Sequence, residues 1–138
     1  MQILFSSAFR PFFLLVGGYA ALIGLAWWLH LEGLLIWSGE LPAKARHGHE
    51  MLFGFAGGAI AGFLLTAVAT WTRRPAVSGT VLVLLGAVWL LARLSAFLPG
   101  PTGWSLWALA SLSFWACLLA LMAREVFAAR NTRNYKVL

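Results

Sequence analysis

The chain has 138 residues, of which 62% are hydrophobic and 10% are charged, and its mean hydropathy is +0.86. Water-soluble domains carry about 25% charged residues, and a chain of this length could not bury so much apolar surface in one water-soluble core, which indicates an integral membrane protein. The net charge of +6 does not predict nucleic-acid binding, because the basic residues lie at the ends of apolar runs and form no stripe along a phosphate backbone.

Four apolar runs reach the length of about 20 residues that a helix needs to cross roughly 30 Å of hydrocarbon. Helix is the expected state, because lipid offers no partner to unpaired backbone groups. Since the connections are short, consecutive helices should be antiparallel neighbours. We therefore predict one all-α transmembrane domain over residues 1–138, with four antiparallel transmembrane helices at about residues 12–36, 48–72, 77–98 and 104–124.

Proline, glycine and basic residues mark the breaks between the runs. Pro11 opens the first helix, where a missing N–H costs little. Arg73, Arg74 and Pro75 form a turn between the second and third runs, and residues 99–103 separate the third from the fourth. The single cysteine, Cys117, excludes an internal disulfide and is predicted to be a packing residue.

The distribution of Lys and Arg predicts the orientation. Lys44 and Arg46 are the only ones between the first and second runs. Arg10, Arg73, Arg74, Arg124, Arg130, Arg133 and Lys136 would share the other side. By the positive-inside rule both termini should face the cytoplasm.

Glycine is concentrated in the second run, where Gly54, Gly58 and Gly62 recur every four residues. Small residues at this spacing let a neighbouring backbone approach closely. The pattern predicts helix packing, and a slot for a flat cofactor is the alternative.

The three histidines lie near one membrane face, with His30 at the end of the first helix and His47 and His49 at the head of the second. His47 and Glu50 share a helical face, whereas His49 points about 200° away from His47. Imidazole is a common ligand of haem iron, copper and zinc, so His47 and His49 are candidate metal or haem ligands, with His30 as a weaker one. Glu50 could orient a ligating ring. The alternative is that these side chains lie idle in the headgroup region.

Arg93 is predicted to lie below the membrane surface, where a guanidinium needs a partner or a water-filled cavity. We expect it to pair with Glu50 or Glu32, with capture of an anion as the alternative. No familiar catalytic set is present, and His49-Glu50 lacks the second histidine of a zinc-protease motif. The sequence therefore does not predict an enzyme.

Several segments together resemble the NnrS family. They are FRPFFL at residues 9–14, HGHEMLFGF at 47–55, AGFLLTA at 61–67 and RNTRNY at 130–135, in order along essentially the whole chain. Ala69-Thr70 and Arg73 depart from the family pattern, but they lie away from the histidines.

The resemblance implies a bacterial inner-membrane protein that contains haem and copper and is associated with nitric oxide metabolism or resistance to nitrosative stress. It points to His47, His49 and Glu50 as the metal-site residues. It also implies a polytopic fold of roughly twelve helices, of which this chain would be the first third. The expected partners are the lipid bilayer, nitric oxide, and the remaining helices or further copies of the chain.

Two other functions remain open from the residues alone. The helix count, the Gly58/Gly62 pair and Arg93 would suit a small four-helix transporter or channel subunit that acts as an oligomer. A structural helix bundle, in which the polar groups only hold the helices together, would explain the same features.

Overall fold

The computed structural model describes residues 3–36, 41–130 and 132–137, and its regular structure is entirely helical in this part of the chain. The main helices are α1 (Phe9–Leu31), α2 (Ala43–Thr72), α3 (Thr80–Ser95) and α4 (Gly100–Ala128). Short 3-10 segments at Leu4–Ser6 and Thr132–Val137 flank them. The prediction of an all-helical chain with four main helices is confirmed.

Three of the four helices are long and apolar enough to cross a membrane: α1, α2 and α4, with 23, 30 and 29 residues. Helix α3 has 16 residues, which span about 24 Å, less than the roughly 30 Å of a hydrocarbon core. Gly79, with a φ of +66°, precedes its first turn, and the extended Pro99 follows its last. The predicted run at 77–98 is thus shortened at both ends.

The histidine segment lies inside α2, because this helix begins at Ala43 and not near residue 48. Pro42, with a φ of −53° and a ψ of 137°, occupies the position before the first turn. His47 and His49 are therefore helical residues.

Helices α1 and α2 pack along the glycines of α2. A Cβ at Gly62 would lie 2.9 Å from the Phe12 Cβ, and one at Gly58 would overlap the Val16 side chain. The Phe9 N–H also donates to Thr66 Oγ1 at 3.1 Å. Close approach of the backbones buries Phe12 and Val16.

Large side chains fill the centre of the bundle. Trp89, Phe12, Phe114, Leu65 and Leu82 are each less than 3% exposed. The outer surface is also apolar, with exposed leucines such as Leu14, Leu22 and Leu112. A surface of this kind is suited to lipid, where apolar side chains need no burial.

A buried ion-pair cluster joins the turn after α2 to the end of α4. Glu125 is 3% exposed, and its Oε2 accepts a hydrogen bond of 2.7 Å from Arg74 Nε. Its Oε1 accepts from Arg124 Nη2 at 2.6 Å. The carboxylate thus holds two basic residues of different segments together at this end of the bundle.

Candidate functional site

Glu50 is the centre of a buried polar network that joins three helices. Its side chain is 2% exposed. Tyr19 of α1 donates its hydroxyl proton to Oε2, and Arg93 Nε of α3 lies 3.0 Å from the same oxygen. His49 Nδ1 lies 3.2 Å from Oε1. These partners supply the counter-charge and the hydrogen bond that a buried carboxylate requires.

Arg93 is enclosed on all sides. It is 4% exposed, its guanidinium lies 5.7 Å from the Trp89 ring centre, and Nη2 donates to Ser111 Oγ of α4 at 3.4 Å. Trp89 in turn donates its indole N–H to the Gly54 carbonyl at 3.0 Å. The structure therefore brings Glu50 and Arg93 together, whereas Glu32 lies exposed at the end of α1.

Local backbone geometry makes room for this network. Residues Glu50–Ala56 form a π-helical segment within α2, and such wide turns occur frequently at functional sites. A Cβ at Gly54 would lie 2.8 Å from the Tyr19 ring and 3.1 Å from both Arg93 Nη1 and Glu50 Oε2. Only glycine at this position leaves the space that the three polar side chains occupy.

The His49 ring contacts two aromatic rings. Its centre is 4.6 Å from Phe53 and 4.2 Å from Trp107 of α4, and its side chain is 25% exposed. When Nδ1 donates to Glu50, Nε2 on the opposite edge keeps its lone pair. This is the histidine–carboxylate arrangement that orients metal-ligating imidazoles in proteins.

His47 faces α1 instead. Its ring stacks on Trp27 with centres 4.4 Å apart and an angle of 10° between planes. Trp27 also lies 5.5 Å from the ring of His30, whose Nδ1 is 3.1 Å from the Leu35 carbonyl. The two histidines of α2 therefore contact different neighbours, as their spacing predicts.

A comparison with protein-family models covers nearly the whole chain. The family model described as NnrS protein matches residues 3–138. The chain belongs to the NnrS family. Neither a curated protein nor a solved structure matches it. Family membership and the membrane-spanning helices together make it an NnrS-type membrane protein.

The structure of this NnrS chain separates the predicted site residues into two groups. Glu50, Arg93, His49 and Gly54 belong to one network, whereas His47 and His30 share Trp27. Within residues 3–36, 41–130 and 132–137 no three His, Cys, Asp or Glu side chains come together as a metal site.

Sequence reasoning missed Tyr19 and Trp107, which the structure places against Glu50 and His49. Tyr19 continues the stripe of Phe12 and Val16 that faces α2, and its hydroxyl is the only polar group of that stripe. This spacing was the available signal. Trp107 carries no comparable signal, because its contact with His49 depends on how α4 packs.

Proposed function

We propose that this NnrS chain binds haem through His49 and contributes to nitric oxide metabolism or to resistance to nitrosative stress. The observation that supports the proposal is the buried dyad in which His49 Nδ1 lies 3.2 Å from Glu50 Oε1. Haem iron can be held by a single imidazole nitrogen, so His49 would be able to hold this group. When bound, haem would supply an iron able to bind a diatomic gas.

The residues of the chain have separate tasks in this proposal. Glu50 accepts a hydrogen bond from His49 Nδ1–H and so favours the tautomer in which the Nε2 lone pair is available. Tyr19 and Arg93 hold the carboxylate in place. Phe53 and Trp107 pack against the imidazole and restrict its rotation.

Copper binding is proposed from the family resemblance. His47 is its first candidate ligand and His30 is a weaker one. Both rings lie close to the Trp27 ring. The described residues assemble no three-ligand copper site, so further ligands would be required. We assign no reaction to this chain.

We also propose the bacterial inner membrane as its location, with both termini in the cytoplasm. The basic turn residues Arg73 and Arg74, and Arg124, Arg130 and Arg133 near the other end of the chain, support this orientation. In this proposal the four helices are antiparallel and belong to a larger fold of roughly twelve helices, and the chain meets those helices or further copies of itself.

The test is the optical spectrum of the purified intact protein after addition of haem. A Soret band typical of histidine ligation is expected for the wild type and for His30→Ala, the control at the same end of the bundle. His49→Ala should shift the band or lose it. A band that is unaltered when His47 and His49 are both replaced would contradict the ligand assignment and favour the structural bundle.

A further inference from the structure

A basic surface lies at the end of the bundle where α2 and α4 end. It consists of Arg73 and Arg74, in the turn after α2, and of Arg124, near the end of α4, and all three residues are exposed. Glu125 is the acid that pairs with this surface. Three guanidinium groups and one carboxylate leave two positive charges in excess, so the surface attracts anions.

The buried Glu125 carboxylate holds two of the arginines side by side. Its Oε2 accepts a hydrogen bond from Arg74 Nε at 2.7 Å. Its Oε1 accepts from Arg124 Nε at 2.9 Å and from Arg124 Nη2 at 2.6 Å. Because both guanidinium groups bond to one carboxylate that is 4% exposed, they are held next to each other before any ligand binds.

The two arginines keep further donors beyond those that Glu125 uses. A guanidinium group has five N–H bonds, and no described residue accepts from the Nη atoms of Arg74 or from Nη1 of Arg124. The Arg74 and Arg124 side chains are 40% and 60% exposed, so a ligand can reach them from outside the bundle. Two adjacent guanidinium groups suit a phosphate, which arginine binds through paired hydrogen bonds.

The position of the basic surface points to the source of the phosphate. Helices α2 and α4 are both long and apolar enough to cross a membrane, and the arginines lie where these helices end. Trp71, in the last turn of α2, is half-buried, and tryptophans are frequent at the level of lipid headgroups. Phe127, in the last turn of α4, is 56% exposed. Basic sites between transmembrane helices bind the headgroups of acidic lipids.

We propose that Arg74 and Arg124, held by Glu125, bind the phosphate of an anionic phospholipid. Arg73 adds positive charge beside them, and the exposed apolar surface of the helices contacts the acyl chains. The site lies at the opposite end of the bundle from His49. The inference goes beyond the proposed function and does not depend on haem.

The experiment is native mass spectrometry of the full chain in detergent, titrated with dioleoylphosphatidylglycerol or dioleoylphosphatidylcholine. Phosphatidylglycerol should bind more tightly, and Arg74→Gln and Arg124→Gln should each weaken its binding about tenfold. Arg10→Gln is the matched control, because Arg10 lies at the same end of the bundle and donates to the Ile3 carbonyl. It removes the same charge and should change binding by less than about twofold, since salt screens distant exposed charges.

Two further arms guard against misfolding and identify the source of the phosphate. Arg74→Lys keeps a positive charge beside Glu125 but loses the paired donors, so it should weaken binding about threefold, and it carries the test if the glutamine variants do not fold. Inorganic phosphate should not compete, and competition would assign the site to free phosphate and overturn the lipid proposal. Equal binding of phosphatidylglycerol to the wild type and the Arg74 and Arg124 variants would also overturn it, as would an equal loss in Arg10→Gln.

Discussion

The Glu50 carboxylate contacts side chains of three helices. It therefore affects both the packing of these helices and the orientation of His49. Arg93 approaches from α3, Tyr19 from α1, and His49 is its neighbour on α2. In an apolar surrounding such a network is favourable only when every member is satisfied. Loss of one member should therefore affect the others.

Glu50→Gln should lower the free energy of unfolding by about 3 kcal/mol, because it leaves the Arg93 guanidinium buried without a counter-charge. The measurement is chemical or thermal unfolding in detergent. Glu32→Gln is the matched control, since Glu32 is exposed, and it should change stability by less than about 0.5 kcal/mol. Equal stability of the two variants would contradict the structural importance of the Glu50–Arg93 pair.

Single residues were predictable from sequence only where spacing or charge constrained them. Arg93 in an apolar run required a partner, and Glu50 was one of its two named candidates. Tyr19 and Trp107 were not anticipated, because their contacts depend on how α1 and α4 rotate about their axes. No pattern in the sequence predicts how α1 and α4 are rotated about their axes.

At the scale of elements, α2 carries both the site and the closest helix packing. Its π-helical segment Glu50–Ala56 begins at Glu50, the centre of the polar network. Its glycines allow α1 to pack closely against it. The glycine spacing predicted close packing, but nothing in the composition of residues 50–56 distinguishes a π-helix from an α-helix. The short α3 was missed for another reason, since hydropathy continues through residues that Gly79 and Pro99 keep out of the helix.

Gly58→Ala should destabilise the bundle by about 1–3 kcal/mol, because the added Cβ overlaps the Val16 side chain and must separate α1 from α2. Gly24→Ala is the control. A Cβ there meets nothing within 4 Å, so alanine should be neutral or stabilise α1 by about 0.5–1 kcal/mol. Unfolding midpoints in detergent compare the two. A Gly58→Ala variant as stable as Gly24→Ala would show that the helices are not packed as described.

At the scale of the whole molecule, the two ends differ in chemistry. One end holds His47, His49 and the Glu50 network, and the other holds Arg74 and Arg124 on Glu125. Charge counting anticipated this asymmetry because basic residues follow the positive-inside rule. The burial of Glu125 between two arginines was not anticipated, since its partner Arg74 is distant in sequence.

The orientation can be tested with single cysteines in a Cys117→Ser background. Ser78 lies in the turn between α2 and α3 and Thr102 in the first turn of α4, and both are exposed. A membrane-impermeant maleimide should label Thr102→Cys in intact cells and Ser78→Cys only after lysis. The reverse labelling pattern would contradict the proposal of cytoplasmic termini.

The central claim is that His49, oriented by Glu50, provides the haem ligand of this NnrS chain, and rescue by imidazole tests it most directly. His49→Gly removes the ring and leaves a space between Phe53 and Trp107. Haem added to this variant should lack the wild-type Soret band, and exogenous imidazole should restore it. A His49→Gly protein with the wild-type band in the absence of imidazole would contradict the claim.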